Sequence, residues 1–149
     1  MRAIGVTGAR KLTPEKTAQA HYELWKVWHQ NEGASWHIGD AEGIDKLARK
    51  TIDPEQLREY NSEGWEVWQL QQRSKRLVDG LAIAKGMLHA WVNKPCPEGL
   101  TVTSWQGSGT WGTVCYAISK GVPVVIHWLI EEAATPEWMS QRQLSFSFL

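Results

Sequence analysis

Apolar runs of four to seven residues alternate along the chain with longer stretches in which apolar and polar positions mix. Such short runs are typical of strands, and the amphipathic stretches are typical of helices. Several runs are continuously apolar, which indicates parallel strands covered on both faces. The pattern therefore predicts an α/β fold, a Rossmann-like three-layer sandwich with a mostly parallel sheet.

The elements can be placed approximately. Strands are predicted at 2–6, 35–38, 65–70, 88–92 and 122–127, and 101–105 is either a short strand or an extended loop. Helices are predicted from the N-cap Thr13 to about Gly33, through Ile44 to Ala48, and at 54–60, 74–85 and 110–120. We expect the first helix to bury one face: Ala18, Tyr22, Trp25 and either Trp28 or His29.

The composition is that of a soluble globular protein, with 149 residues, 42% hydrophobic residues and a formal net charge of zero. Zero charge argues against a protein that coats nucleic acid mainly through charge. We expect one domain at 1–135, a C-terminal tail at 136–149, and no signal peptide or membrane span. Together with only two cysteines, these features predict a cytoplasmic location.

Ten tryptophans are unusual for a chain of this length. Large aromatic side chains are costly to leave in water, so we expect most of them to be buried or partly buried. Trp105 and Trp111 lie in a glycine-rich segment, where aromatic side chains often stack on a flat ligand ring.

Ligands of an open parallel sheet bind outside the carboxyl ends of its strands. Four segments are expected to meet there: 7–10, 39–43, 71–76 and 107–113. Their convergence indicates a site more strongly than any one of them does.

The segment 107–113, GSGTWGT, opens a predicted helix. Exposed amides, small hydroxyls and the helix dipole predict an anion site suited to phosphate. The alternative is a tight turn whose glycines only permit the backbone geometry. The segment lacks the lysine of a Walker A loop, so an ATPase is not indicated.

Basic residues lie just before or within the first turn of the predicted helix 74–85, where cations oppose the helix dipole. Arg73, Lys75 and Arg76 form either a solvated face or a guanidinium clamp for a phosphate or carboxylate, with Arg76 the first choice.

Acidic residues open the predicted second helix. Asp40, Glu42 and Asp45 either cap that helix or act on a ligand. In the second case, Asp40 or Glu42 accepts hydrogen bonds from ribose hydroxyls. A carboxylate pair for acid–base chemistry is the remaining alternative.

Metal and nucleophile signatures are weak. The five histidines do not cluster with Cys96 and Cys115 at metal-ligand spacing, so we expect neither a metal nor a cofactor. Ser108 qualifies as a nucleophile only if a base lies beside it.

Four segments, in this order, resemble the SLOG superfamily: GVTGARKLTP, HIGDAEGIDKLARK, RSKRLVDGLAIA and GSGTWGTVCYAISKGVPVV. This superfamily includes the DNA-processing protein DprA, the LOG enzymes and the YspA-like proteins of unknown function. The YspA-like branch is the most similar, through G-x-R after the first strand and G-x-A-x-G-x-D after the second. The resemblance covers about residues 2–127.

The resemblance implies a Rossmann-like fold that binds nucleotides or nucleotide-derived ligands. The implied ligand-binding residues, with Ser108 added from the glycine-rich segment, are Gly8, Arg10, Gly39, Asp40, Gly43, Asp45, Arg76, Gly107, Ser108, Gly109, Thr110, Gly112 and Thr113.

LOG-type enzymes hydrolyse nucleotide N-glycosidic bonds and carry the motif P-G-G-x-G-T-x-x-E. In this chain Ser108 replaces the proline, Thr110 replaces the second glycine, and Tyr116 stands at the catalytic glutamate. Without that carboxylate, the positive charge on the sugar lacks its stabilising group. Glu42 and Asp45 remain as candidate catalytic residues, and whether the protein is an enzyme stays open.

The main prediction is therefore a protein that binds or senses a nucleotide or a nucleotide-derived phosphorylated ligand. The alternatives are a LOG-like phosphoribohydrolase and a DprA-like protein that binds single-stranded DNA. The resemblance also implies a homodimer.

The hexapeptide QLSFSF runs from Gln143 to Phe148 and resembles the peptides by which bacterial replication proteins dock on the sliding clamp. An edge strand or a flap over the protein's own core is the alternative.

Overall fold

The computed structural model describes residues 2–139. Five strands form one sheet in which every neighbouring pair is parallel, in the order β3-β2-β1-β4-β5. Because the chain winds one way from β1 to β3 and the other way through β4 and β5, the strand order reverses between β1 and β4. The strands are β1 Ala3–Gly8, β2 Ser35–Gly39, β3 Leu57–Tyr60, β4 Met87–Val92 and β5 Val124–Trp128.

Helices cover both faces of the sheet. Two core layers result, one packed under the first two helices and the other under the last two. The predicted three-layer α/β sandwich is confirmed. The helices are α1 Pro14–Gln30, α2 Ile44–Thr51, α3 Val67–Ile83 and α4 Gly109–Ser119, and a short 3-10 turn at Pro54–Gln56 precedes β3.

The buried face of α1 differs from the prediction. Its buried residues are Ala20, Leu24 and Val27, whereas Tyr22 and Trp25 are 64% and 46% exposed. Ala18 and His29 are exposed as well, and Trp28 is half-buried. The aliphatic residues repeat at a spacing of four and three, so they form the stripe that packs on the sheet. The aromatic residues instead contact neighbours on the outer surface, as Trp25 does with His29.

Two other predicted elements are wrong. Residues 54–60 are not a helix, because the 3-10 turn leads directly into the edge strand β3. Residues 65–70 are not a strand, because Glu66 and Gln69 form a capping box at the beginning of α3. Arg73, Lys75 and Arg76 therefore lie beyond the first turn of α3 rather than before or within it.

The long connection between β4 and α4 contains residues 101–105, which form a loop rather than a strand. At the end of the described chain, Trp138 and Met139 pack against the core layer under α3 and α4. Residues 140–149, including the QLSFSF peptide, lie outside the described residues, and the predicted sliding-clamp contact stays a prediction. Within residues 2–139, no helix is long and apolar enough to cross a membrane.

Candidate functional site

A cavity of about 720 Å³ opens at the carboxyl edge of the sheet. It lies where the strand order reverses, between the ends of β1 and β4. Residues from all four segments that the sequence places at this edge line the cavity. The fold therefore supplies one shared pocket rather than four separate features.

The predicted ligand-binding residues divide into two groups. Those that line the cavity are Gly8, Arg10, Asp45, Gly107, Ser108, Gly109 and Thr110. Those that lie outside its lining are Gly39, Asp40, Gly43, Arg76, Gly112 and Thr113. Contact between any of them and a ligand stays a prediction.

The glycine-rich segment forms the beginning of α4. Ser108 is the N-cap, and its Oγ accepts a hydrogen bond from the Trp111 amide at 3.2 Å. The amides of Gly109 and Thr110 belong to the first turn, whose N–H groups have no partner within a helix. Because both residues line the cavity, the positive end of α4 faces it.

The three positions of this segment that carry glycine differ in whether the fold requires a glycine there. Gly107 has a φ of +75°, which favours glycine. A Cβ on Gly112 would overlap the ring of Trp105. Gly109 has neither constraint: its φ lies outside the left-handed region, and a Cβ there would meet nothing within 4 Å. A tight turn accounts for the first two glycines and leaves Gly109 unexplained.

Arg73 brings a buried cation to the cavity wall, with only 7% of its surface exposed. Its Nη1 donates to Asp40 Oδ1 at 2.7 Å, and its Nη2 donates to Ser74 Oγ at 3.2 Å. Its Nε has no partner among the described residues. A buried donor without an acceptor costs about 1–3 kcal/mol, so the fold holds this guanidinium at the cavity wall against a penalty.

Asp45 is the carboxylate of the cavity lining and is 5% exposed. Its Oδ2 accepts from the Ala41 amide at 3.3 Å and lies 3.9 Å from Arg73 Nη1. Burial raises the pKa of Asp45 to about 6, against the opposing effects of Arg73 and the Ala41 amide. Burial alone would raise the pKa of Asp40 too, but hydrogen bonds from Ser62 and Arg73 outweigh it and lower that pKa. Asp40 is thus the charged partner of Arg73, whereas burial favours the protonated form of Asp45 more than in an exposed aspartate.

The lining is electropositive although the chain as a whole is neutral. Arg10 and Lys11 follow β1, Lys94 follows β4, and Arg73 lies on α3. Within the described residues, these four cations face the single carboxylate of Asp45. Such a lining favours an anionic ligand.

Three residues singled out from the sequence lie elsewhere. Arg76 donates to the Asn61 carbonyl at 2.6 Å, and the Tyr116 hydroxyl donates to Asp79 Oδ1 at 2.8 Å. Both line a smaller depression of about 290 Å³. Glu42 is exposed and does not line the cavity. Of the carboxylates weighed as catalytic, only Asp45 is in place to meet a ligand there.

Gly8, Gly39 and Gly43 are explained by packing. A Cβ on Gly8 would lie 2.5 Å from the side chain of Ile44. A Cβ on Gly39 would lie 2.7 Å from the carboxylate of Asp45 and 3.0 Å from the guanidinium of Arg73. Gly43 has a φ of +72°, and a Cβ there would overlap the Ala9 carbonyl. A side chain at any of these three positions would displace a neighbouring side chain, a neighbouring loop or the pair of Asp45 and Arg73.

Of the basic group, Arg73 lines the cavity, whereas Arg76, the first choice from the sequence, does not. The spacing of Leu70, Arg73, Leu77 and Leu81 on α3 is the signal that identifies Arg73, because these residues share one helical face. Lys94 can be identified as a residue of the cavity more simply, because it follows the end of β4 at the same edge of the sheet.

Trp105 and Trp111 line the cavity but are 5% and 0% exposed. Their indole N–H groups donate to the carbonyls of Val102 and Lys94, so both rings are fixed in the protein. No histidine is among the described residues that line the cavity, so Ser108 has no imidazole base beside it.

Two histidines pair elsewhere, on the side of the sheet that α1 covers. His89 Nδ1 and His127 Nε2 are 2.8 Å apart, and the His127 ring stacks on Trp91. Among residues 2–139, no three His, Cys, Asp or Glu side chains form a group that could hold a metal ion.

No family model matches the chain, and no curated protein matches it. Among solved structures, DNA processing protein A from Helicobacter pylori matches with a TM-score of 0.55 and 13% sequence identity. The fold is similar to that of DNA processing protein A. The match covers 84% of this chain and 64% of that one, so this chain spans less than two thirds of DNA processing protein A.

DNA processing protein A binds single-stranded DNA. At 13% identity the likeness establishes the fold. It does not extend to the SLOG superfamily or to its YspA-like branch, and both resemblances stay predictions.

Proposed function

We propose that the protein binds a nucleotide or a nucleotide-derived phosphorylated ligand in the cavity between β1 and β4. The observation that carries this proposal is a cavity that the positive end of α4 faces and that four of the described cationic side chains, including the buried Arg73, line. Helix N-termini bind phosphate through their free amides, and cationic side chains on the same lining attract its negative charge.

Gly109 supports the placement of the phosphate. The protein itself does not require a glycine there, since a Cβ would meet nothing within 4 Å. A glycine at the first position of a helix allows the backbone amide to approach a ligand closely. The phosphate then lies against Gly109 and Thr110, with the cations of Arg10 and Lys94 on the same lining.

The size of the cavity agrees with one nucleotide. Pockets for small molecules and cofactors range over about 300–1,000 Å³, and this cavity measures about 720 Å³. Leu70 and Val67 of α3 add apolar surface to the charged lining, which suits a base or a sugar face beside a phosphate.

Thermal unfolding with AMP, GMP, CMP, UMP and inorganic phosphate tests the proposal, and the matching nucleosides are the uncharged controls. At a hundred times its Kd, a ligand stabilises by about 2.7 kcal/mol. For a chain of this size, that raises Tm by roughly 5–11 °C. Chromatography of the same mixtures for free base tests the phosphoribohydrolase alternative.

Arg73→Lys and Arg76→Lys form a matched pair on α3. Lysine keeps the charge but loses the planar donor set, so we expect Arg73→Lys to reduce the ligand-induced shift and Arg76→Lys to preserve it. The proposal fails if no phosphorylated nucleotide raises Tm. It also fails if the two variants respond identically.

Single-stranded DNA is the second candidate ligand, favoured by exposed aromatic side chains near the cavity. Trp65, just before α3, and Trp68, in its first turn, are 74% and 56% exposed and lie on either side of Val67, which lines the cavity. Stacking of a base on such a ring contributes about 1–3 kcal/mol. The fold is also similar to that of DNA processing protein A, which binds single-stranded DNA.

Fluorescence anisotropy with a labelled oligothymidylate distinguishes the two candidates. Binding to DNA requires an affinity for the oligonucleotide far above that for a mononucleotide, a strong decrease with salt, and a loss in Trp65→Ala and Trp68→Ala. We expect none of these if the cavity serves a single nucleotide.

A further inference from the structure

The cavity presents opposite chemistry at its two ends. The beginning of α4, which follows β4, offers amide donors, and the wall that follows β2 offers the carboxylate of Asp45. In the sheet, β1 lies between these strands, so their ends are about 10 Å apart at the usual spacing of 4.7–4.9 Å between neighbours. A ligand that occupies both ends needs an anionic group and, some distance from it, hydrogen-bond donors.

Asp45 has few bonds for a buried carboxylate. Its contacts are the Ala41 amide at 3.3 Å and the Arg73 guanidinium at 3.9 Å, a distance beyond that of a direct hydrogen bond. Asp40, in contrast, accepts from Ser62 N and Oγ and from Arg73 and does not line the cavity. Of these two carboxylates, Asp45 is the one that a ligand can reach.

We propose that Asp45 accepts hydrogen bonds from the ribose hydroxyls of the bound nucleotide, so that the site selects ribonucleotides over deoxyribonucleotides. This inference rests on the proposed function, because it assumes that the phosphate lies at the beginning of α4. In one nucleotide the sugar directly follows the phosphate. The hydroxyls are therefore the donors that reach the β2 side while the phosphate stays on Gly109 and Thr110.

The proposal has a consequence for protons. Donors from the ligand stabilise the ionised carboxylate, so the pKa of Asp45 falls from about 6 when a ribose binds. Binding near pH 6 then releases protons, and the affinity for the ribonucleotide rises as the pH increases through this range. Arg73, Arg49 and Asp40 are the charged groups that act on Asp45, and Arg10 and Lys11 line the same cavity from the β1 side.

Isothermal titration calorimetry of AMP, 2′-deoxy-AMP and 3′-deoxy-AMP tests the inference on the full chain. A hydrogen bond to a charged group corresponds to a preference of roughly ten- to a hundredfold for the ribonucleotide. Repeating the titrations at pH 6 in two buffers with different ionisation enthalpies measures the proton release. The difference between AMP and the deoxynucleotides isolates the sugar, because the phosphate is common to all three.

Asp45→Asn and Asp45→Ala are the test variants, and Glu42→Gln is the matched control. Glu42 lies just before the same helix but is exposed and outside the cavity lining. We expect both Asp45 variants to bring AMP and the deoxynucleotides within a few-fold of each other and to abolish the sugar-dependent proton release. Glu42→Gln should keep both effects.

Two results overturn this inference while leaving the proposed function intact. One is equally tight binding of AMP and both deoxynucleotides by the unmodified protein, and the other is a ribose preference that persists in both Asp45 variants. If none of the nucleotides binds at all, the proposed function and this inference fail together.

Discussion

Replacement of Gly109 by alanine separates stability from binding. Gly109 begins α4, has no left-handed φ, and leaves more than 4 Å around a Cβ. A compatible glycine-to-alanine change stabilises by about 0.5 kcal/mol through the unfolded state, which raises Tm by roughly 1–2 °C. The new methyl group would occupy the space that we assign to phosphate. Overpacking of about 1–3 kcal/mol then weakens nucleotide binding by roughly ten- to a hundredfold.

Urea unfolding and nucleotide titration of the same preparation measure both effects. Two neighbouring glycines provide the comparison, because each has a structural reason of its own. Gly112→Ala drives a methyl group into Trp105 and should cost about 1–3 kcal/mol of stability. Gly107→Ala strains a residue at φ +75° and should cost about 1–2 kcal/mol. If Gly109→Ala binds nucleotide as tightly as the unmodified protein, the assignment of this space to phosphate is wrong.

Urea unfolding tests three further predictions about the rest of the fold, one on the pH dependence of stability and two on substitutions. Burial, with the help of His127, lowers the pKa of His89 to about 3, and burial lowers the pKa of His127 to about 4. As the pH falls below about 6.5, the unfolded chain therefore binds protons before the folded chain does. At pH 5 each of the two histidines lowers the free energy of unfolding by about 2 kcal/mol, and this loss is absent above pH 7. Arg73→Ala removes the cation from two carboxylates and should destabilise by about 3 kcal/mol, whereas Arg76→Ala should stay within 0.5 kcal/mol. Thr13→Ala removes the N-cap bond to the Lys16 amide and should cost about 1 kcal/mol.

The pH experiment needs a differential design. Asp45, whose pKa is raised, titrates in the opposite sense over the same range and gains stability as the pH falls towards 4. The pH dependence of the unmodified protein is therefore compared with that of His127→Gln, and His21→Gln, at an exposed position, is the control. An unchanged pH dependence in His127→Gln would contradict the explanation.

The sequence allowed the sheet edge to be predicted, because continuous apolar runs define parallel strands without tertiary information. The segments 7–10 and 39–43 directly follow the ends of β1 and β2, so their convergence depended only on the strand assignment. The segment 71–76 was placed at this edge through a predicted strand at 65–70 that does not exist, and it reaches the cavity from within α3. The third strand was missed for a physical reason. Leu57–Tyr60 is an edge strand with exposed Arg58 and Glu59, and it carries no buried apolar run.

Helix phase and helix start were harder to predict. In α1 the heavy aromatic residues suggested a buried face, but the lighter stripe of Ala20, Leu24 and Val27 fits the sheet more closely. In α3 the alternation at 65–70 concealed a capping box, and this shifted the expected position of Arg73 and Arg76. The position at which α3 begins decides which arginine lines the cavity. It therefore also decides which arginine is the better candidate for binding the phosphate.

Gly43 packs so closely on Ala9 that the loops after β1 and β2 form one continuous wall, joined by the bond from Ile44 N to Ala9 O at 3.0 Å. Neither loop can be remodelled without disturbing the other. The opposite wall is built from the connection between β4 and α4, which forms its own turn at Thr101 and Ser104. Engineering of this scaffold towards new small molecules therefore starts at Asn93 and Lys94, which line the cavity from this wall, whereas residues 95–104 lie outside the lining and include the buried Leu100.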